Sequence, residues 1–329
     1  MLGTIFRAWG SILGGYKPFL SIELTRECPL TCPGCYAYGD QHLGGEITLR
    51  QVRDLKGQAL IDGVLNLIRK HKPAHVSLVG GEPLVRYREL DELLPKMAAM
   101  GIQTQMVTSA VRRIPAHWSS IPRLTISVSI DGLQPEHDVR RKPATYERIL
   151  QNIVGHQISV HCTLTHQQLV RDGYIEEFLR FWSDQPTTKR IWISLYTPQK
   201  GENSTERLTP EDRKKAIHDL LALKPKYSKL EMGRGVTEFY DNPPNSPSEC
   251  IFARLSTCVS ADLEQVITPC QFGGNPDCKN CGCIASAGMD AVKRHQLPIG
   301  IRVGDIFEAS LKVGAGIRHI RNVLPTKST

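Results

Sequence analysis

The chain has 329 residues, 40% of them apolar and 22% charged, with a formal charge of +8. That composition belongs to a globular protein with a sizeable core, in one domain or two, and excludes a disordered chain. No apolar run reaches the roughly 20 residues that span a bilayer, so no transmembrane helix is expected. The opening residues, interrupted by Gly3, Arg7 and Gly10, lack the basic start, apolar centre and small-residue cleavage site of a secretory signal. A cytoplasmic protein is expected. The basic surface suits an acidic partner or an anionic surface, but no Lys/Arg block with interleaved aromatics is present, and no nucleic-acid role is expected.

Residues 1–18 form an apolar segment in which Phe6–Trp9 and Ile12–Leu13 fit an amphipathic helix. Such a helix makes peripheral contact with a membrane or closes the open bottom of a barrel. From residue 19 to 235, β-rich runs alternate with helical ones. Strands are predicted at Phe19–Leu24, His75–Val79, Gln103–Thr108, Leu124–Ile130, Ile158–Leu164 and Ile191–Leu195. The intervening periodicity predicts helices over Leu49–Arg69, behind a Thr48/Gln51 capping box, and over Arg88–Met100, stopped by Gly101. Further helices are predicted at Tyr146–Ile153 and Tyr174–Trp182, and after Thr209 with Pro210 in first position. Repeated β/α units imply an α/β fold with a parallel sheet, curved into a partial barrel or left open and doubly wound, with ligands at the carboxyl ends of the strands. Residues 236–329 read differently. Asp241–Ser248 is a Pro/Asn/Ser-rich linker, only short strand-like pieces such as Leu263–Thr268 follow, and helix-compatible stretches begin at Ala285.

Ten cysteines need an explanation. Three lie at Cys28, Cys32 and Cys35 and six between Cys250 and Cys283, with Cys162 alone. Cytosolic thiols stay reduced, so tight clusters indicate metal ligation rather than disulfides. Cys28-Pro-Leu-Thr-Cys32-Pro-Gly-Cys35 follows the first strand. Three soft thiolates there can hold one face of an iron–sulfur cubane, and three ligands on four irons leave one iron open. A zinc knuckle is the alternative, although structural zinc wants four closed ligands. Cys162 reads as a small buried hydrophobe. His42 and His166 sit beside the expected active face, each more simply read as an ordinary polar residue, and Tyr196, at the end of the sixth strand, is a candidate on the expected substrate side.

This C-x3-C-x2-C run, with Gly80-Gly81-Glu82-Pro83 after the second strand and Ser127–Gly132 and His137–Arg140 after the fourth, resembles the radical S-adenosylmethionine (SAM) superfamily. The resemblance runs from about residue 19 to 200. It implies a partial (β/α)6 TIM-like barrel with a small cysteine-rich C-terminal extension, and a [4Fe–4S] cluster on Cys28, Cys32 and Cys35 that binds SAM. It further implies SAM contacts from Gly80, Gly81, Glu82, Pro83, Ser129, Asp131 and Arg140. Thr108, Thr163 and Tyr36 are expected near the ribose or adenine. Two positions depart from the family pattern. Gly34 stands where an aromatic residue often precedes the third cysteine, and Arg141 stands where relatives with peptide substrates usually have glycine.

Cys258-x11-Cys270, preceded by Thr268-Pro269, is similar to the hairpin that opens the SPASM or twitch extensions of this family. By that resemblance a second, auxiliary [4Fe–4S] cluster is expected on Cys258, Cys270, Cys278 and Cys281, with Cys283 and Cys250 in reserve. A four-cysteine zinc site has the same spacing. The implied activity is reductive cleavage of SAM to a 5′-deoxyadenosyl radical that modifies a small molecule, a lipid or isoprenoid, or a peptide, with flavodoxin or ferredoxin as electron donor. From a different class, a non-catalytic Fe–S electron carrier or a zinc-stabilised binding module explains the cysteines but not the other motifs.

Overall fold

Leu20, Ile22 and Leu24 alternate with Ser21 and Glu23, the period-two pattern of a strand with one apolar and one polar face, and Phe19–Glu23 forms β1, buried on both. The same alternation forms β2 (His75–Val79), β3 (Gln103–Thr108), β4 (Leu124–Ser129), β5 (Ile158–Leu164) and β6 (Thr188–Leu195). A computed structural model of the chain describes residues 2–297 and 300–323. In it these strands and a seventh, β7 (Ser256–Val259), make one parallel sheet in the order β6-β5-β4-β3-β2-β1-β7. A doubly wound sheet reverses its strand order at a switch point. From β1 to β6 this one does not, β7 being added beside β1 at the edge, and it is an open partial barrel.

The helices are α1 (Leu2–Leu13), α2 (Gly57–His71), α3 (Tyr87–Ala99), α4 (Glu136–Arg140), α5 (Tyr146–Asn152), α6 (His166–Leu169), α7 (Tyr174–Asp184) and α8 (Pro210–Leu223). They continue with α9 (Arg234–Glu238), α10 (Ile251–Leu255), α11 (Ile284–Arg294) and α12 (Val303–Val323). Leu60 and Val64 of α2, Leu90 and Met97 of α3, and Phe178 and Trp182 of α7 share one core with Leu20, Ile22, Leu78, Met106, Val128 and Val160 of the sheet. Cys162 lies in that core, as a small hydrophobe would.

The helix predicted over Leu49–Arg69 is divided. Thr48 and Gln51 do form their capping box, but on a single 3-10 turn at Leu49–Gln51, and α2 starts only at Gly57. Asp54 causes the break: it accepts from Thr25 Oγ1 at 3.0 Å and Arg26 N at 3.2 Å and pairs with Arg86, which ties the intervening chain to the loop after β1. The strand-like stretch Leu263–Thr268 is a tight return instead. Ile267 N donates to Cys258 O at 2.8 Å, with one antiparallel bridge between Val259 and Val266. The strand of this region is β7, paired with β1 from Phe19↔Ser256 to Ile22↔Val259. At the N-terminus α1 packs on α10 and α12, with Ile12 buried against Ile251 and Leu255 and Trp9 Nε1 donating to Ser310 Oγ at 2.8 Å. Phe6 remains 65% exposed. Among the described residues no helix is long and apolar enough to cross a membrane.

Candidate active site and cysteine centres

Beyond β1 the chain enters the first cysteine loop, and the loop after β2 holds it in place. Gly81 N donates to Thr25 O and Glu82 N to Glu27 O, both at 2.8 Å, just before Cys28. The approach is so close that a Cβ on Gly81 would collide with Glu27 O, while Gly80 turns the chain at φ +108. Gly81→Ala is therefore expected to push the two loops apart and reduce metal loading of purified protein, measured as iron per chain. Pro83 begins a 3-10 turn capped by Glu82, whose carboxylate accepts from Leu84 N at 3.0 Å.

Cys28, Cys32 and Cys35 border one cavity of about 360 Å³. Tyr38, Asp40 and Arg50 complete its wall, and the Arg50 guanidinium lies 4.0 Å over the Tyr38 ring. Motif spacing does not flag these three. Burial raises all three thiols above their ordinary pKa, Cys28 to about 11, although Arg141 and Arg140 pull Cys32 back. Buried thiols of this kind ionise readily only against a cation. Among the described residues no three His, Cys, Asp or Glu side chains converge as ligands of a single ion. Thiols spread around a cavity fit a cluster with a separate iron for each sulfur.

Glu82 is buried and engaged. Thr108 Oγ1 donates to one oxygen and Ser109 N to the other at 2.7 Å, joining the end of β3 to the β2 loop. Ser129, at the end of β4, is 7% exposed and pairs in register with His161. Asp131 follows, fully buried. It accepts from Thr163 N at 3.1 Å through Oδ1 and binds Arg140 and Arg141 through Oδ2, the latter at 2.7 Å. Burial alone would raise its pKa, but the two guanidinium groups hold it below the ordinary 3.8. Arg140 also makes a two-pronged pair with Glu206, Nε to Oε1 and Nη2 to Oε2, each at 2.8 Å. Arg141 Nη1 donates to Ser109 Oγ at 2.8 Å. The non-glycine at position 141 thus has a structural reason: a second cation offsets two buried carboxylates. Gly34 has one too. Its φ is +62, and a Cβ there would lie 2.7 Å from Glu206 Oε2 and 2.9 Å from Tyr196 OH.

The second group of cysteines sits beside the end of β6. Cys250, Cys270, Cys278 and Cys281 line one small cavity of about 20 Å³ with Phe252 and Phe272. Cys258 lies on β7, buried and pushed up to about 12 by that burial. Cys283 is buried at the start of α11, where Gln271 Nε2 donates to its Sγ at 3.2 Å. So three of the four favoured thiols come together with one reserve, Cys250, while Cys258 and Cys283 lie outside that lining. Gly282 makes the docking possible. Its N–H donates to Thr197 Oγ1 at 2.8 Å, its C=O accepts from Leu195 N at 3.0 Å, and a Cβ would collide with Leu195 O. Gly282→Ala is expected to eject the Cys281–Cys283 turn from β6 and abolish metal binding at this second site, read as metal content per chain.

Residues 22–155 match the Radical SAM superfamily. That match runs from β1 to the end of α5 and takes in both the first cysteine loop and the Gly80–Pro83 loop. PqqA peptide cyclase of Rhizobium meliloti (strain 1021) is 32% identical over 117 residues, 35% of this chain and 29% of that protein. Pre-heme d1 synthase of Dinoroseobacter shibae is 25% identical over 218 residues, 63% of this chain and 51% of that protein. Mycofactocin maturase MftC of Mycobacterium tuberculosis is 26% identical over 218 residues, 62% and 52%. The chain spans about half the length of these curated relatives, or less. Streptococcus suis SuiB bound to precursor peptide SuiA superposes with a TM-score of 0.57 at 15% identity, over 100% of this chain and 72% of that one. Native anSMEcpe with bound AdoMet gives 0.54 at 14%, over 92% and 97%. At such identities the likeness is one of fold.

Between the end of β1 and the Cys258–Cys270 return lies a brace that motif spacing does not reveal. Tyr36 does not line the cavity beside Cys35. Its ring packs 5.7 Å from His42 and 5.2 Å from Phe272. His42 Nδ1 donates to Phe272 O at 2.9 Å, since a carbonyl only accepts. Its Nε2 therefore faces Glu23 Oε1, at 2.7 Å, across a shared proton, and Ser260 Oγ donates to Glu23 Oε2 at 3.2 Å. The end of β1, the first cysteine loop and the Cys258–Cys270 return are thus fastened together. His166 by contrast only tethers α6 to α8, through Asp212 Oδ2 at 2.7 Å.

Proposed function

We propose that the chain is a radical SAM enzyme that binds a [4Fe–4S] cluster through Cys28, Cys32 and Cys35 and cleaves SAM reductively to modify a further substrate. The observation that carries this is the single cavity bordered by those three thiols, backed by the Gly80–Pro83 loop. When bound, the cluster and SAM supply a one-electron cleavage that yields methionine and a 5′-deoxyadenosyl radical. Cys28, Cys32 and Cys35 would hold the cluster, three thiolates for four irons. Gly80 and Gly81 let backbone approach closely, Glu82 fixes Thr108 and Ser109, and the Asp131–Arg140–Arg141–Glu206 network holds the end of β4 rigid beside the cavity. Ser129 and Thr163 offer polar groups at neighbouring strand ends. Arg140 reaches a SAM carboxylate only by exchanging its Glu206 contact.

A second, auxiliary [4Fe–4S] cluster belongs to the same reading, with Cys250, Cys270, Cys278 and Cys281 as its ligands because they share a cavity. Clustered cysteines read as metal ligands support a reducing, cytosolic setting, and an acidic flavodoxin or ferredoxin would match the net charge of +8. Raising salt is then expected to slow SAM cleavage driven by such a donor, and an unchanged rate counts against electrostatic docking. The decisive experiment is anaerobic reconstitution followed by dithionite and SAM. Formation of 5′-deoxyadenosine is expected. Protein that binds zinc but no iron at either site would refute the proposal.

A further inference from the structure

The sheet has two chemically opposite faces. Ile22, Leu78, Met106 and Ile126 point into the helix-covered core. In the alternating register the other face carries Ser77 opposite Gln105, Ser127 opposite Ser159, and His161 opposite Trp192. Ser77, Gln105 and Trp192 keep some exposure, although they sit mid-strand in a seven-stranded sheet. Among the described residues the side chains of Ser77, Gln105 and Ser127 form no hydrogen bond, and the buried Ser159 hydroxyl has no partner. Orphaned polar groups at the centre of a fold point to a ligand that satisfies them.

Their charge is as informative as their polarity. Glu23, the acidic residue of this face on β1, is already taken by His42 and Ser260. His161 is neutral, because burial pushes it down to about 4. Its Nε2 meets Ser194 Oγ at 2.8 Å, and that hydroxyl also accepts from Ile284 N at 3.3 Å, which leaves Nδ1 without a protein partner. Trp192 adds an aromatic ring, and the Arg190 guanidinium 5.3 Å over it is already paired with Glu231 at 2.8 Å, so its charge is met within the protein.

On the radical SAM proposal, with substrate lying against this polar face of the sheet, we infer that the substrate is an uncharged, hydroxyl- or amide-bearing molecule rather than a hydrocarbon chain. A lipid tail laid here would strand the serine, glutamine and histidine groups without partners, weakening binding about tenfold for each. A polar ring or peptide segment satisfies them and stacks on Trp192.

The test supplies holoenzyme, dithionite and SAM with extract of cells grown on deuterated medium. The extract is divided into an organic phase, aqueous small molecules and aqueous polypeptides. Abstraction breaks a substrate C–D bond and forms a C–D bond at the 5′ carbon of 5′-deoxyadenosine, leaving the unpaired electron on substrate carbon. Mass spectrometry reads the deuterium. Label from one aqueous fraction is expected, which fraction naming the source, and the labelled share should fall about tenfold in Gln105→Leu/Ser127→Val. Label from the organic phase, or an undiminished share in the variant, overturns the inference. A second arm needs no reductant: the apolar dye N-phenyl-1-naphthylamine should brighten several-fold more with Ser77→Val/Gln105→Leu/Ser127→Val than with wild type. Equal fluorescence from the two overturns the inference as well. Absence of 5′-deoxyadenosine from every reaction would instead refute the radical SAM proposal and leave the dye arm to judge the face alone.

Discussion

Cys32→Ala is expected to reduce 5′-deoxyadenosine formation to background and to remove about four of about eight iron atoms per chain. The expectation rests on ligand geometry. The three thiols border the same cavity, so no other cysteine of the described residues lies there to replace the missing one. Cys32 is also the thiol closest in charge to the β4 network, since Arg141 and Arg140 favour its ionised form against the burial that opposes it. Cys162→Ala is the internal control. That thiol is buried on the helix-facing side of β5 among hydrophobic residues, and its loss should cost about 1 kcal/mol of stability while leaving iron unchanged. Equal iron in Cys32→Ala and wild type would show that the cavity is not a metal site.

The parts of this molecule that follow a local period are legible in the amino-acid sequence. Leu20, Ile22 and Leu24 announce β1, and three strands, β2, β3 and β5, begin and end where alternation begins and ends. β7 is not legible, because Ser256-Thr257-Cys258-Val259 is four residues long and becomes a strand only by pairing with β1. The late start of α2 is likewise a long-range effect, imposed by Asp54 reaching Thr25, Arg26 and Arg86. At the site, motifs name Arg140 but not Glu206, its partner across 66 residues in a loop with no periodicity. Nor does cysteine spacing show that Cys250, at the start of α10, lines a cavity with Cys278 while Cys258 lies on the sheet; that depends on Cys258 being drawn into β7 beside β1.

Asp131→Asn should be the most destabilising single change outside the cysteine sites, by about 3–5 kcal/mol, because it leaves buried cations short of a counter-charge. Asp131 is fully buried and serves Arg140, Arg141 and Thr163 N at once. Glu206 still neutralises Arg140 in the variant, so the stranded charge is mainly that of Arg141. Arg141→Met added to Asp131→Asn should therefore recover a large part of the loss, since removing both members of a buried pair costs less than removing one. Thermal unfolding of the two single variants and the double variant measures this coupling, and strict additivity would mean that the pair is not interacting. The sign with pH follows from the direction of the shift. Asp131 has its pKa below the ordinary 3.8 in the folded protein, so its contribution is complete above that value and is withdrawn as pH falls further. Wild type and Asp131→Asn should then converge in stability only in strong acid, whereas at neutral pH the gap between them stays constant. A gap that closed near neutrality would assign the stabilisation to another group and remove Asp131 from the centre of the network.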